Sequence, residues 1–296
     1  MPVLSLHAVS PDVPPAEQGG FVSLALRFTK LLVFALIVVV LLMVFFEERF
    51  IFIPRTYDGS DAWQPPGGDY VDVAFRSVDG TELHAWYFQH PAPRVHVLYC
   101  HGNAGNITGR IEIARQMFRL GASVFLFDYR GYGRSEGSPT EAGILQDARA
   151  ARQEFARLAE IPTAEIVLVG RSLGGAVAVD LAAREGARGL ILESTFTDLP
   201  AVASVHYPFL PVRWLLRTRL DSIAKILDYS GPVLQFHGTA DRIIPVEIGK
   251  QLFAVVPGIE GKDKELFLWE GGDHNEQPPP EYYEVMDRFF DRLPVH

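Results

Sequence analysis

Residues Glu165 to Glu185, EIVLVGRSLGGAVAVDLAARE, join pieces that belong to different local structures. Ile166 to Val169 is a short apolar, β-branched run of the kind that makes a buried strand. From Leu173 onward the chain is rich in Ala, Val and Leu and has helical character. Between them, Gly170-Arg171-Ser172-Leu173-Gly174 matches G-x-S-x-G, the sharp strand-to-helix turn that lifts a serine hydroxyl above a sheet. Such a turn forces strained backbone angles on the serine. Glycines two residues to either side let neighbouring backbone pass without a Cβ in the way. The amides of the helix N-terminus then face whatever negative charge develops beside the hydroxyl.

The same pattern occurs a second time, at Gly133-Arg134-Ser135-Glu136-Gly137. Ser135 sits several residues past the strand Val124 to Asp128, and Ser138-Pro139 follow it, so the next helix starts near Thr140 and not at the serine. Only Ser172 has strand, turn and helix in sequence, so it is the candidate nucleophile.

The chain's 296 residues, 48% of them hydrophobic, suffice for one sizeable domain and an accessory segment. A formal charge of −9 with no basic cluster argues against nucleic acid as a partner. The single cysteine, Cys100, rules out an intramolecular disulfide framework; it ends an apolar run and reads as a buried structural thiol.

Met1 to Gly20 is punctuated by Pro and Gly and shows neither strand nor helix period, so residues 1–27 are expected to form a disordered tail. Leu31 to Phe46, LLVFALIVVVLLMVFF, is sixteen apolar residues without a charge. As a helix it spans about 24 Å against a hydrocarbon core of ~30 Å. Including Phe28 and Thr29, with Lys30 snorkelling outward, closes most of that gap. No small-residue cleavage site follows, since Glu47-Glu48-Arg49-Phe50 come next, and no polar face marks a core helix. Residues 28–50 therefore read as an uncleaved, single-pass membrane anchor. Arg27 and Lys30 precede the span and Arg49 and Arg55 follow it, a tie in Lys/Arg count. The unopposed pair before the span slightly favours a cytoplasmic N-terminus, with the rest of the chain on the non-cytoplasmic side.

A Pro- and Gly-rich linker is expected over 51–69. An antiparallel pair follows, Tyr70 to Phe75 and Thr81 to Phe88, with the turn signal Asp79-Gly80 between them. Strands at Val95 to Cys100, Ala122 to Asp128, Ile166 to Val169, Gly189 to Glu193, Val233 to His237 and Leu266 to Trp269 alternate with helices at Ile107 to Leu120, Glu141 to Leu158, after Ser172, Val246 to Val255 and Glu281 to Leu293. This order predicts a mostly parallel α/β sheet flanked by helices over 70–296, with an insertion at about 194–230. In such sheets chemistry gathers beyond the carboxyl ends of the strands. His101-Gly102-Asn103-Ala104-Gly105-Asn106, Ser172, Glu193, Asp241 and His274 all fall there.

A serine hydroxyl attacks a carbonyl only when a base takes its proton, and the base needs an orienting partner. Downstream of Ser172, His237-Gly238-Thr239-Ala240-Asp241 follows one apolar strand and Gly271-Gly272-Asp273-His274-Asn275 follows the last. Asp241 is assigned as the acid and His274 as the base. Glu193 is the rival acid, Asp273 is read as a turn residue, His237 as a local packing residue and His101 as a loop-shaping one. The oxyanion donors are expected to be the backbone N–H groups of Leu173 and Asn103, and Asn106 should cap the helical segment from Ile107. Neither a metal signature nor a dinucleotide or phosphate loop is present, so no cofactor is expected.

HGNAGN, DYRGYGRSEG, GRSLGG, HGTAD and GGDHN, in this order, resemble the membrane-anchored α/β-hydrolase-domain proteins, a group related to protein depalmitoylases and to serine aminopeptidase-like hydrolases. The match runs from Tyr70 to the C-terminus. It implies an α/β-hydrolase fold with a short cap, Ser172, Asp241 and His274 as a triad, an oxyanion hole at Asn103 and Leu173, and ester or thioester substrates, often acylated or lipid. The depalmitoylases carry an N-terminal cysteine cluster for lipidation, and here an apolar helix stands in that place. The alternatives are a peptidase or amidase on the same fold and a non-catalytic membrane protein that binds partners. In the cap, Tyr207 to Arg217 mixes aromatics, aliphatics and arginines, which suits an interfacial lid and equally a small cap packed on the core.

Overall fold

The computed structural model describes residues 18–59, 63 and 70–294. Residues 1–17 of the tail expected over 1–27, and residues 60–62 and 64–69 of the linker expected over 51–69, lie outside these residues. The chain divides between Phe46 and Glu47 into two units.

The first unit is helix α1, Gln18–Phe45. It begins before the expected boundary at residue 28, because Phe21 to Lys30 contains no proline or glycine to stop a helix from propagating. Leu26–Phe45 forms a 20-residue apolar span whose side chains are not buried in protein. At 1.5 Å per residue it covers about 30 Å, the thickness of a bilayer's hydrocarbon core.

The second unit is built on an eight-stranded sheet: β1 Val71–Arg76, β2 Glu82–Phe88, β3 Val95–Cys100, β4 Ala122–Asp128, β5 Ile166–Arg171, β6 Gly189–Glu193, β7 Val233–Gly238 and β8 Lys264–Trp269, in the order β1-β2-β4-β3-β5-β6-β7-β8. β2 pairs antiparallel with both β1 and β4, and every other pair is parallel. The expected strands are all present, with ends shifted by a residue or two. Helix α2 (Ile111–Arg119) and helix α7 (Pro280–Arg292) cover one face; α3 (Glu141–Ala159), α4 (Leu173–Glu185) and α6 (Val246–Val255) cover the other. Alternate residues of a strand therefore serve opposite cores. Leu98 and Cys100 pack with α3 and α4, while Val97 and Tyr99 pack with α2 and α7. The insertion holds α5 (Leu199–His206) and helical turns at Val212–Leu215 and Ser222–Lys225.

The described part of the segment expected as a linker is packed onto the sheet unit. Ile53–Pro54 pairs in parallel with Ala104–Gly105, the Tyr57 N–H donates to the Gly133 carbonyl at 2.7 Å, and Phe52 and Trp63 are buried. Phe52 and Trp63, on either side of Pro54 in the chain, are buried against the sheet unit, as area removed from water demands.

Glu193 ends β6 buried at the carboxyl edge of the sheet, where the Tyr99 hydroxyl donates to Oε2 at 3.4 Å and Oε1 has no protein partner among the described residues. Burial pushes its carboxyl up to about 7 against the opposing pull of Arg171 and the weaker one of Arg110. A raised acid keeps a proton that the unfolded chain has already lost, so folding stability should fall as pH rises from 4.5, the ordinary glutamate value, to about 7. The loss amounts to about 3 kcal/mol. Glu193→Gln should flatten that slope in unfolding measurements across this window. An unchanged slope would show that the carboxyl does not carry it.

Candidate active site

Ser172 sits at the corner between β5 and α4 with φ 53° and ψ −120°. That left-handed backbone is strained for a residue with a Cβ, at a cost of about 1–3 kcal/mol, and persists only where the surroundings over-determine it. They do so here. The Ser172 N–H donates to the Glu193 carbonyl at 2.8 Å, and its own carbonyl accepts from the Gly175 N–H at 2.9 Å and the Thr195 hydroxyl at 2.8 Å. A Cβ at Gly170 would overlap the Gly174 carbonyl and Ala178; one at Gly174 would overlap the Cys100 carbonyl of β3. The two glycines thus bring strand, helix and the neighbouring strand's end within backbone contact around the serine.

Asp241 lies on the loop after β7 and His274 on the loop after β8, both buried. His274 Nδ1–H donates to Asp241 Oδ2 at 2.7 Å, and Asp241 Oδ1 accepts the N–H groups of Ile243 and Ile244 at 2.9 and 2.7 Å. Burial alone would raise the Asp241 carboxyl, but the bonds from His274 and the Ile244 amide outweigh it and hold it below the usual carboxylate range. The acid is thereby kept ionised against the imidazole. This bond directs Nε2, the other ring nitrogen, away from Asp241 with a free lone pair.

A cavity of about 240 Å³ brings the predicted groups together, with Ser172, Leu173, Asn103 and His274 on its wall. The rest of the lining is largely apolar: Ile51, Ile53, Phe196, Leu199, Val202 and Ile244 among others. Asn103 is fixed by its side chain, whose Oδ1 accepts the Ile53 N–H at 3.1 Å and the Tyr132 hydroxyl at 2.9 Å while Nδ2 donates to the Ile51 carbonyl. Asn106 caps the next turn as expected, accepting the Thr108 N–H at 3.0 Å, although that turn is 3₁₀ before α2 begins.

The rivals have other partners. Ser135 Oγ donates to the Asp128 carbonyl at 2.7 Å and accepts the His84 N–H at 3.0 Å, joining β4 to β2 outside the cavity. His237 donates through Nε2 to the Ile244 carbonyl at 2.8 Å, and burial lowers its pKa. His101 is buried beside Tyr129, donating through Nδ1 to the Gly102 carbonyl at 2.8 Å. Asp273 ties the two loops together. It accepts the Arg242 N–H at 3.0 Å, pairs with the Arg242 guanidinium and accepts the His274 N–H at 2.8 Å, and the Arg242 bond holds its carboxyl far below the usual range.

Four contributing residues were not foreseen. Arg171, inside the G-x-S motif, donates to the His274 carbonyl and so links the serine's strand to the histidine's loop. Arg242 joins the aspartate's loop to that same loop. Ile51 and Ile53 reach the cavity from a segment that looked like a spacer. Arg171 was visible as part of the motif; the isoleucines carried no local signal.

A family model described as serine aminopeptidase, S33, matches residues 91–224. An uncharacterized protein of Mycobacterium tuberculosis is 42% identical over 210 residues, which cover 66% of this chain and 73% of that one. The Arabidopsis thaliana α/β hydrolase domain-containing protein WAV2 is 36% identical over 237 residues, covering 73% and 77%. Among solved structures, the Pyrococcus furiosus esterase Pf2001 aligns over 82% of this chain and 98% of its own with a TM-score of 0.65 at 17% identity, a likeness of fold. Strand order, serine turn and sequence relatives lead to one assignment: the chain belongs to the α/β-hydrolase family.

Proposed function

We propose that the protein is a membrane-anchored serine hydrolase that cleaves carboxylic esters or thioesters through an acyl-enzyme on Ser172. The observation that carries this reading is the 2.7 Å bond between His274 and an ionised Asp241, with His274 and Ser172 on the wall of one cavity. Ser172 Oγ attacks the carbonyl carbon while His274 Nε2 takes its proton, and Asp241 stabilises the resulting imidazolium. The tetrahedral oxyanion is held by the N–H groups of Leu173, at the α4 N-terminus, and Asn103, each worth about 3 kcal/mol. The carbon–leaving-group bond breaks, and the imidazolium returns the proton to the departing alcohol or thiol. Water, deprotonated by His274, then attacks the acyl-enzyme and frees the acid and Ser172.

The apolar lining supports an acyl group as occupant. A volume of about 240 Å³ holds roughly eight methylene-sized groups at ~30 Å³ each. Longer chains would extend beyond it. The apolar helix Leu26–Phe45 supports anchoring, and Arg27 and Lys30 near its N-terminal end favour a hydrolase domain on the non-cytoplasmic side.

A second reading, cleavage of an aminoacyl amide, is favoured by the description of the family model and by one feature of the surface. Beyond Arg110 and Arg171, which line the cavity, lies a groove of about 1070 Å³ whose walls include Glu112, Glu276 and Glu284, carboxylates that suit an amine. A panel of p-nitrophenyl acyl esters, acyl thioesters and aminoacyl anilides separates the two. Esters or thioesters should be turned over at least tenfold faster, and preference for the anilides would transfer the assignment to the second reading.

Fluorophosphonate labelling should disappear in Ser172→Ala and persist in Ser135→Ala. Labelling that survives the first and vanishes in the second would overturn the choice of serine. Asp241→Asn should lower kcat by roughly 10³- to 10⁴-fold, because the amide no longer selects the tautomer that leaves Nε2 free. A kcat within tenfold of the parent would remove Asp241 from this role.

A further inference from the structure

The outer side of the cap carries large apolar side chains in water. Phe209 is 96% and Trp214 90% exposed, and Val205 and Tyr207 stand about half out. Scattered exposed apolar residues are ordinary, but these four fall between positions 205 and 214, with the exposed Arg213 among them. The cap's inner side faces the reaction, since Leu199 and Val202 of α5 line the Ser172 cavity.

The chain enters this unit at the same place. Glu47, one peptide bond after Phe46, is buried, and its carboxylate accepts the N–H of Arg217 at 3.0 Å and the N–H and hydroxyl of Thr218 at 3.0 and 2.9 Å. The Arg217 guanidinium lies 3.5 Å away. A buried carboxylate with three donors is a rigid attachment. It lies three residues along the chain from Trp214. The helical turn Glu47–Ile51 then carries the chain onward, and at 1.5 Å per residue Ile51, on the cavity wall, is only about 6 Å further along.

We propose that Tyr207, Phe209, Arg213 and Trp214 form a docking face for the phospholipid bilayer, so that the Ser172 cavity opens at the membrane interface and draws its acyl chain from the lipid. This rests on the reading of Leu26–Phe45 as an anchor. The occupant follows from the chemistry. Tryptophan, tyrosine and phenylalanine settle at the headgroup level, arginine pairs with lipid phosphate, and Glu47, bonded to Arg217 and Thr218 of the cap, follows the apolar helix by two residues along the chain. The cavity's size agrees: an acyl chain of more than about eight carbons can keep its remainder in the bilayer.

The test uses the full chain reconstituted into vesicles of phosphatidylcholine with a minority of phosphatidylglycerol, with and without bromine on the acyl chains. Trp63 and Trp86 are buried and Trp269 half-buried, so Trp214 is the exposed tryptophan of the described residues. Brominated lipid should quench the parent protein at least twice as strongly as Trp214→Phe. Equal quenching in protein that floats with the vesicles overturns the docking face alone. Failure to float overturns the face and the anchor together. Fluorophosphonate labelling in the same vesicles is a separate readout, and its loss with quenching intact strikes only the serine reading. Phe209→Asp with Trp214→Asp should lower turnover of a long-chain ester in vesicles by roughly fivefold and leave a soluble short-chain ester unchanged. Parallel loss on both substrates, or on neither, overturns the proposal.

Discussion

The backbone strain at Ser172 is the constraint on which the rest of the site depends. A serine at φ 53° would relax if its neighbours allowed it. What prevents this is close packing of backbone on backbone, with the amide of residue 172 held by β6, its carbonyl held by Gly175 and Thr195, and Gly174 pressed against the end of β3. The same packing places the first turn of α4 beside the hydroxyl, so the strain and the electrostatic field of the helix N-terminus come from one arrangement.

Around that fixed point the remaining groups arrive on loops, which need tethers of their own. Two strands, β6 and β7, separate β5 from β8, and the loops after β7 and β8 would be free to diverge. Asp273 with Arg242 joins one loop to the other, and Arg171 joins the second loop back to the serine's strand. The residues that set these positions use charge-assisted bonds, which hold direction better than neutral ones.

The N-terminal side adds a second kind of constraint. Ile51, Phe52 and Ile53 are used by the sheet unit as cavity wall and core, and Glu47 is clamped to the cap. The chain thus passes from the apolar helix into the domain through a segment whose Ile51 and Ile53 line the cavity.

The sheet, its eight strands, the serine turn and the placing of Asp241 and His274 on loops just beyond strand ends were legible in the sequence. Each is written locally: apolar runs of strand length, glycines at fixed offsets, and polar residues immediately after strands, where the chain must turn over the sheet edge. Even the two G-x-S-x-G matches could be told apart, since one lacks its strand and helix. What local pattern could not express is which distant residues share a surface. Ile51 and Ile53 lie in a Pro-rich segment that reads as a spacer, and only the pairing of Ile53–Pro54 with Ala104–Gly105 makes them a wall of the cavity. Arg242 and Asp273 are ordinary loop residues until the parallel pairing of β7 and β8 sets their loops side by side. Glu47 reads as a charge ending an apolar helix, and the fold buries it against Thr218. Sequence alone determined the elements and the order of the candidate groups, because these depend on neighbours a few residues apart. Tertiary structure alone decided the lining, the tethers and the attachment, because these depend on contacts that the folded sheet creates between residues from 31 to 171 positions apart.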